Sequence, residues 1–163
     1  MRPWWLRWLA GVLLLCCTAC SAAGPGSTAS SSDTERKEDS DMEQTVFYLT
    51  VGGTTFDAAF ADNAGAQAFR HWLADGDVTV RMEDYAGFEK VGALGKDLPT
   101  RDAQTTTQAG DIVLYLGNQI VLFYGSNSWS YTRLGKVRDL TGWEEALGSG
   151  DVDVTFSLTS PNP

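Results

Sequence analysis

The sequence predicts a mainly β domain, a largely antiparallel sheet closed on itself as a barrel or sandwich, with two short helices. Two apolar runs, Ile112–Leu116 and Ile120–Tyr124, flank Gly117-Asn118, whose residues tolerate positive φ, and so read as a tight hairpin. Neither run alternates cleanly, which marks strands with little solvent on either face. Strict alternation recurs in Val78-Val80-Met82 and in Val152-Val154-Phe156-Leu158, each the apolar face of a strand. Only two stretches have helical spacing, and so few helices among so many strands argue for a β layer that closes on itself.

In chain order, Thr45–Val51 is expected as a strand, with Phe47, Leu49 and Val51 in phase, and Gly52-Gly53 turns it into Thr54–Phe60. Asp62-Asn63 offers an N-cap to a helix over Ala64–Ala74, whose Ala66, Phe69 and Leu73 share a face and which Gly76 stops. Asp77–Glu83 is the alternating strand. The stretch Asp84–Ala109 has little periodicity; Phe88–Val91 is a candidate short strand, Leu98-Pro99-Thr100 a turn, and Arg101–Gln108 polar enough to be exposed. After the hairpin, Ser126–Ser130 reads as a loop and Tyr131–Val137 as a strand. Thr141 begins a short helix through a capping box with Glu144, with Trp143, Ala146 and Leu147 inward and Gly148 at its end. Asp151–Leu158 is the last strand, for a total of roughly seven or eight.

The chain before this domain is built differently. Arg2 and Arg7 precede the apolar run Leu9–Leu15, the pattern of an export signal. That run is too short for a bilayer, which needs roughly 20 apolar residues. Residues 21–41 are rich in Ser, Ala and Gly and then in charge, a composition that suits a flexible tether rather than a core. The division expected is a signal over 1–19, a tether over 20–44, the β domain over 45–158 and a tail over 159–163. Beyond Cys20 the chain contains no cysteine, so an exported domain here relies on its core without disulfides.

Charge excludes one class of partner. The formal net charge is −9, and losing Arg2 and Arg7 with the signal takes −9 to −11. Nucleic acid is therefore not expected, because phosphate affinity rests on clustered Lys and Arg. A metal is not expected either. The only histidine, His71, falls about 200° around its helix from Phe69, on the solvent side. The glycines form no phosphate loop, and Ser126, Ser128 and Ser130 lack a nucleophile-elbow context, which argues against a hydrolase. No cofactor is implied.

Two resemblances add to this reading. Cys17-Thr18-Ala19-Cys20 resembles a bacterial lipobox, although Cys17 stands where an aliphatic residue is commonest. It implies acylation at Cys20 and an extracytoplasmic, membrane-anchored protein; an ordinary secretory signal is the alternative. Two or more acyl chains hold a protein at a membrane, where one binds only marginally. Within the domain, the ordered pieces Asp84-Tyr85, Glu89-Lys90-Val91-Gly92, Leu98-Pro99, Ala109-Gly110-Asp111, Leu122-Phe123-Tyr124, Tyr131-Thr132-Arg133-Leu134-Gly135 and Ala146–Asp151 resemble the bacterial cyclophilin-like domain family. That resemblance implies a closed eight-stranded antiparallel β-barrel with a helix at each open end, and no single general activity.

True cyclophilins are prolyl isomerases that bind X-Pro peptides on the outer barrel face. The resemblance places Arg81 at their arginine and Gly87-Phe88-Glu89 near their phenylalanine and glutamine, with a carboxylate in place of the amide. Trp129 is a loose counterpart of their tryptophan, and no histidine follows His71. Arg81 is thus a weak catalytic candidate, one that could polarise a prolyl amide. Trp129, Tyr131 and Arg133 lie at alternate positions, so on a strand they share one face, where aromatic faces beside a guanidinium can stack a ligand. With Tyr85 and Glu89 they form the expected binding set. Glu89 is expected either to pair with Lys90 or Arg133 or to supply the polar part of a pocket. The expected function is a lipid-anchored barrel that binds a peptide or small ligand, with an envelope prolyl isomerase as the alternative.

Overall fold

A computed structural model describes residues 46–161. The signal expected over 1–19, Cys20, the tether to 44 and the last two residues of the tail lie outside them. The strands are β1 (Val46–Val51), β2 (Thr54–Phe60), β3 (Val78–Tyr85), β4 (Glu89–Ala93), β5 (Ala103–Thr106), β6 (Asp111–Tyr115), β7 (Gln119–Phe123), β8 (Ser128–Val137) and β9 (Val152–Ser157), with helices α1 (Ala64–Ala74) and α2 (Trp143–Leu147). Their order in the sheet is β2-β1-β9-β3-β4-β7-β6-β8-β5, and every pairing is antiparallel. β2 also pairs with β8, which closes eight strands into a barrel and leaves β5 as an outside partner of β8.

The closure depends on Gly135. A Cβ there would stand 2.5 Å from the Ala59 carbonyl oxygen and 2.8 Å from Phe47 Cε1, so a side chain would push β2 off β8. Inside, Phe47, Leu49, Met82, Ile112, Leu114, Ile120, Leu122, Leu134 and Phe156 are fully buried, each contributing about 2 kcal/mol by leaving water. α1 covers one end: Phe69 meets Phe47 and Phe156 edge-on at 5.9 and 5.5 Å, and Asn63 caps Ala66 N at 3.0 Å. α2 belongs to the same core through Trp143, which packs edge-on against Phe56 and donates Nε1–H to the Phe123 carbonyl at 2.9 Å.

Several expectations are corrected. The expected capping box of α2 does not form: Gly142 is the N-cap with φ 76°, and the Thr141 amide donates instead to Asp139. In the β6–β7 hairpin the positive φ angles fall on Leu116 and Gly117, one position earlier than expected, with Asn118 N–H closing onto the Tyr115 carbonyl. Arg101–Gln108 is not simply exposed loop, since β5 pairs there with Ser128–Tyr131. That pairing draws the expected Ser126–Ser130 loop into β8 from Ser128 onward. The hairpin strands are covered on both faces, as their lack of alternation predicted. Ile112, Leu114, Ile120 and Leu122 point inward, whereas Val113, Val121 and Phe123 form an outer cluster with Tyr131, against which Phe88, Val91 and Tyr115 pack.

Candidate ligand-binding site

Next to that outer cluster lies a concavity of about 700 Å³. Strand alternation builds it: Glu89, Val91 and Ala93 of β4 share the outer face with Val121 and Gln119 of β7, paired as Val91 with Val121 and Ala93 with Gln119. β3 adds Arg81, Glu83, Asp84 and Tyr85, and β6 adds Tyr115. The first residues of β8, held out by β5, supply Trp129 and Tyr131, with Asn127 just before them donating to the Tyr131 hydroxyl at 3.1 Å. Tyr85 and Trp129 are 60% and 57% exposed, so two aromatic side chains at the cavity remain open to solvent.

Glu89 is the unusual group. It is 6% exposed, it lines the cavity, and its Oε2 is buried with no hydrogen-bond partner among the described residues. Loss of solvent raises its pKa to about 7, because burial penalises the charged form. The Glu89 charge in turn helps to raise the pKa of Tyr131, after burial as the larger cause.

The neighbouring Lys90 points the opposite way, into the barrel, and is fully buried. Its Nζ donates to Asp84 Oδ1 at 2.7 Å, to the Gly148 carbonyl at 2.8 Å and to the Gly150 carbonyl at 2.7 Å, which satisfies all three ammonium protons. Asp84 also accepts from the Tyr124 hydroxyl, and these hydrogen bonds, Lys90 first, hold its carboxyl below the usual range. Tyr124 is pushed up to about 12 by burial and by Asp84.

Of the sequence-predicted residues, the fold brings Arg81, Tyr85, Glu89, Trp129 and Tyr131 to one cavity and leaves Arg133 apart. Arg133 donates to Asp111 Oδ1 at 3.0 Å, and Lys136 reaches the same oxygen at 3.1 Å. A register shift between β6 and β8 at Ile112/Val113 explains this. The extra residue lets Arg133 and Lys136, three apart, face the nearly buried Asp111 from the same side. The expected pairings of Glu89 with Lys90 or Arg133 are therefore both replaced, by Lys90 with Asp84 and Arg133 with Asp111. Arg81 is exposed and reaches Asp151 and Asp153, each at 3.4 Å. Glu83, Tyr115, Gln119, Val121 and Asn127 were missed. The signal for Tyr115, Gln119 and Val121 is the second, outer phase of the hairpin strands, in which Tyr115 pairs with Gln119, and that for Glu83 is its alternation with Arg81 along β3.

Among the described residues, no group of three or more His, Cys, Asp or Glu side chains is arranged to hold a metal ion. None of the described helices is long and apolar enough to cross a membrane. The model of the cyclophilin-like family matches residues 49–157. Comparison with curated proteins gives no match. Among solved structures, that of a hypothetical protein from Archaeoglobus fulgidus aligns at a TM-score of 0.48 and 12% identity, over 71% of this chain and 95% of the other.

Proposed function

The chain belongs to the cyclophilin-like family, and from that premise we propose that its domain is a binding module for a peptide segment or small ligand, displayed outside the cytoplasm on a lipid anchor at Cys20. The observation that carries the reading is the outer cavity, in which a buried carboxyl with one oxygen unpartnered among the described residues sits beside exposed aromatic side chains. A buried polar group left unpaired costs free energy that a ligand can recover by supplying the missing hydrogen bond. The cavity volume is within the range of small-molecule sites and suits a few residues of peptide. The lipid anchor rests on the lipobox alone.

A thermal-shift screen of short peptides and small polar ligands tests binding, because a ligand that binds only the folded state raises its stability. The reading expects stabilisers whose effect falls on Trp129→Ala; a screen with no stabiliser contradicts it.

The second reading is a prolyl isomerase, favoured by Arg81 lining the same cavity as Glu89. Exposed ion pairs such as those of Arg81 are weak enough to be exchanged for a substrate carbonyl. It expects accelerated cis–trans exchange of an X-Pro peptide that is lost in Arg81→Ala. Absent turnover, or turnover unchanged by that substitution, rules it out.

A further inference from the structure

We infer that the cavity selects a cationic ligand, an alkylammonium group that forms an ion pair with Glu89 and packs its carbons against the aromatic side chains at the cavity. The inference rests on the binding-module reading and adds the chemistry of the ligand. Its basis is an unmatched charge. Glu89 is buried at the cavity with an acceptor oxygen that no described residue satisfies. Neither nearby cation pairs with it: Lys90 faces the interior and is saturated, and Arg81 reaches Asp151 and Asp153 instead.

The charges facing the cavity lean the same way. Arg81 and Glu83 come from β3, with Tyr85 beside them; β6 and β8 present only uncharged side chains, Tyr115, Trp129 and Tyr131. Asp84 is neutralised by Lys90. Once Arg81 is matched by its own two carboxylates, Glu83 and Glu89 leave the wall negative. An acceptor-only carboxylate calls for a donor, and an ammonium group supplies both donor protons and charge. Aromatic faces attract cations through their ring quadrupoles, which suits Tyr85 and Trp129. A neutral donor would meet the hydrogen bond but leave the charge unanswered.

Proton linkage gives the signature. With the carboxyl titrating at about 7, Glu89 is mostly protonated at pH 6 and mostly ionised at pH 8. Binding of a cation to the ionised form should therefore strengthen about tenfold between those values.

The test is an isothermal calorimetric titration with n-butylammonium, its neutral counterpart n-butanol, cadaverine, and two blocked tripeptides carrying Lys or Gln at the centre. The inference expects n-butylammonium to bind at least tenfold more tightly than n-butanol, to weaken about tenfold from pH 8 to pH 6, and to lose that pH dependence in Glu89→Gln. Trp129→Ala, a change at an exposed side chain, should weaken binding even if Glu89→Gln fails to fold. Preference for the Lys tripeptide over cadaverine would assign the ammonium to a peptide side chain, and the reverse preference to a free amine; either supports a cationic ligand. Equal binding of n-butylammonium and n-butanol, or ammonium binding unchanged by Glu89→Gln, overturns the inference. If the Gln tripeptide binds and no amine does, the inference falls while the binding module stands. If nothing binds, both fall.

Discussion

Glu89 and Lys90 are adjacent acid and base that never meet, because neighbouring strand residues point to opposite faces. Lys90 is enclosed by three acceptors, whereas Glu89 lies in the outer cavity with an oxygen that no described residue satisfies. The stability consequence of Glu89 follows from proton linkage. Its folded pKa of about 7 lies above the ordinary 4.5, so the folded state holds the proton more tightly, and stability falls as pH rises from about 4.5 to 7. At about 1.4 kcal/mol per pKa unit, the penalty reaches roughly 3 kcal/mol above pH 8. Glu89→Gln carries no ionisable group there. Urea unfolding should show its stability relative to the parent rising by up to that amount between pH 4 and pH 8. A difference independent of pH would mean that the carboxyl is solvated.

At the scale of elements, Lys90 ties β4 to the segment after α2, since two of its acceptors are the Gly148 and Gly150 carbonyls. Lys90→Met keeps the stem but leaves those carbonyls without their ammonium donor and Asp84 without its countercharge, with the Tyr124 hydroxyl still donating to it. The expected loss is roughly 3 kcal/mol by chemical denaturation, the cost typical of removing one partner from a buried ion pair. A loss below about 1 kcal/mol would mean that water replaces the ammonium readily. The sequence made most elements legible because their burial is one-sided or complete: β1, β2, β3 and β9 alternate, and β6 and β7 are apolar throughout. β5 and the start of β8 were not legible. They form a ribbon held largely outside the barrel, where Ala103, Gln104, Thr106, Ser128 and Ser130 are all exposed and only Thr105 of β5 is buried. Without a buried stripe, a strand leaves no period in its residues. The α2 capping box failed for a different reason: Asp139 engages the Thr141 amide, so the helix starts after Gly142.

Across the whole molecule, the barrel positions the candidate site by bringing β3, β4, β6, β7 and β8 side by side on one outer face. Alternation alone placed Trp129 and Tyr131 together, and the order of pieces suggested that Tyr85 and Glu89 face them. What the sequence could not place was Arg133, whose direction depends on a register shift between β6 and β8, two strands that are not consecutive in the chain. A lysine in a strand also reads as solvent-facing, which hid the burial of Lys90. The proposed anchor belongs to this scale too, since it sets where the cavity is displayed. Cys20→Ser in the full chain should move the protein from the membrane to the soluble fraction on fractionation; retention at the membrane would contradict acylation at that residue.

The central claim is that Glu89 is a buried carboxyl awaiting a ligand, and its own titration tests that most directly. In a ¹³C NMR titration of the Glu89 side-chain carboxyl, the midpoint should lie near 7 in the free protein and drop when the cavity is saturated with n-butylammonium. A midpoint near the ordinary 4.5, unmoved by the amine, would contradict it.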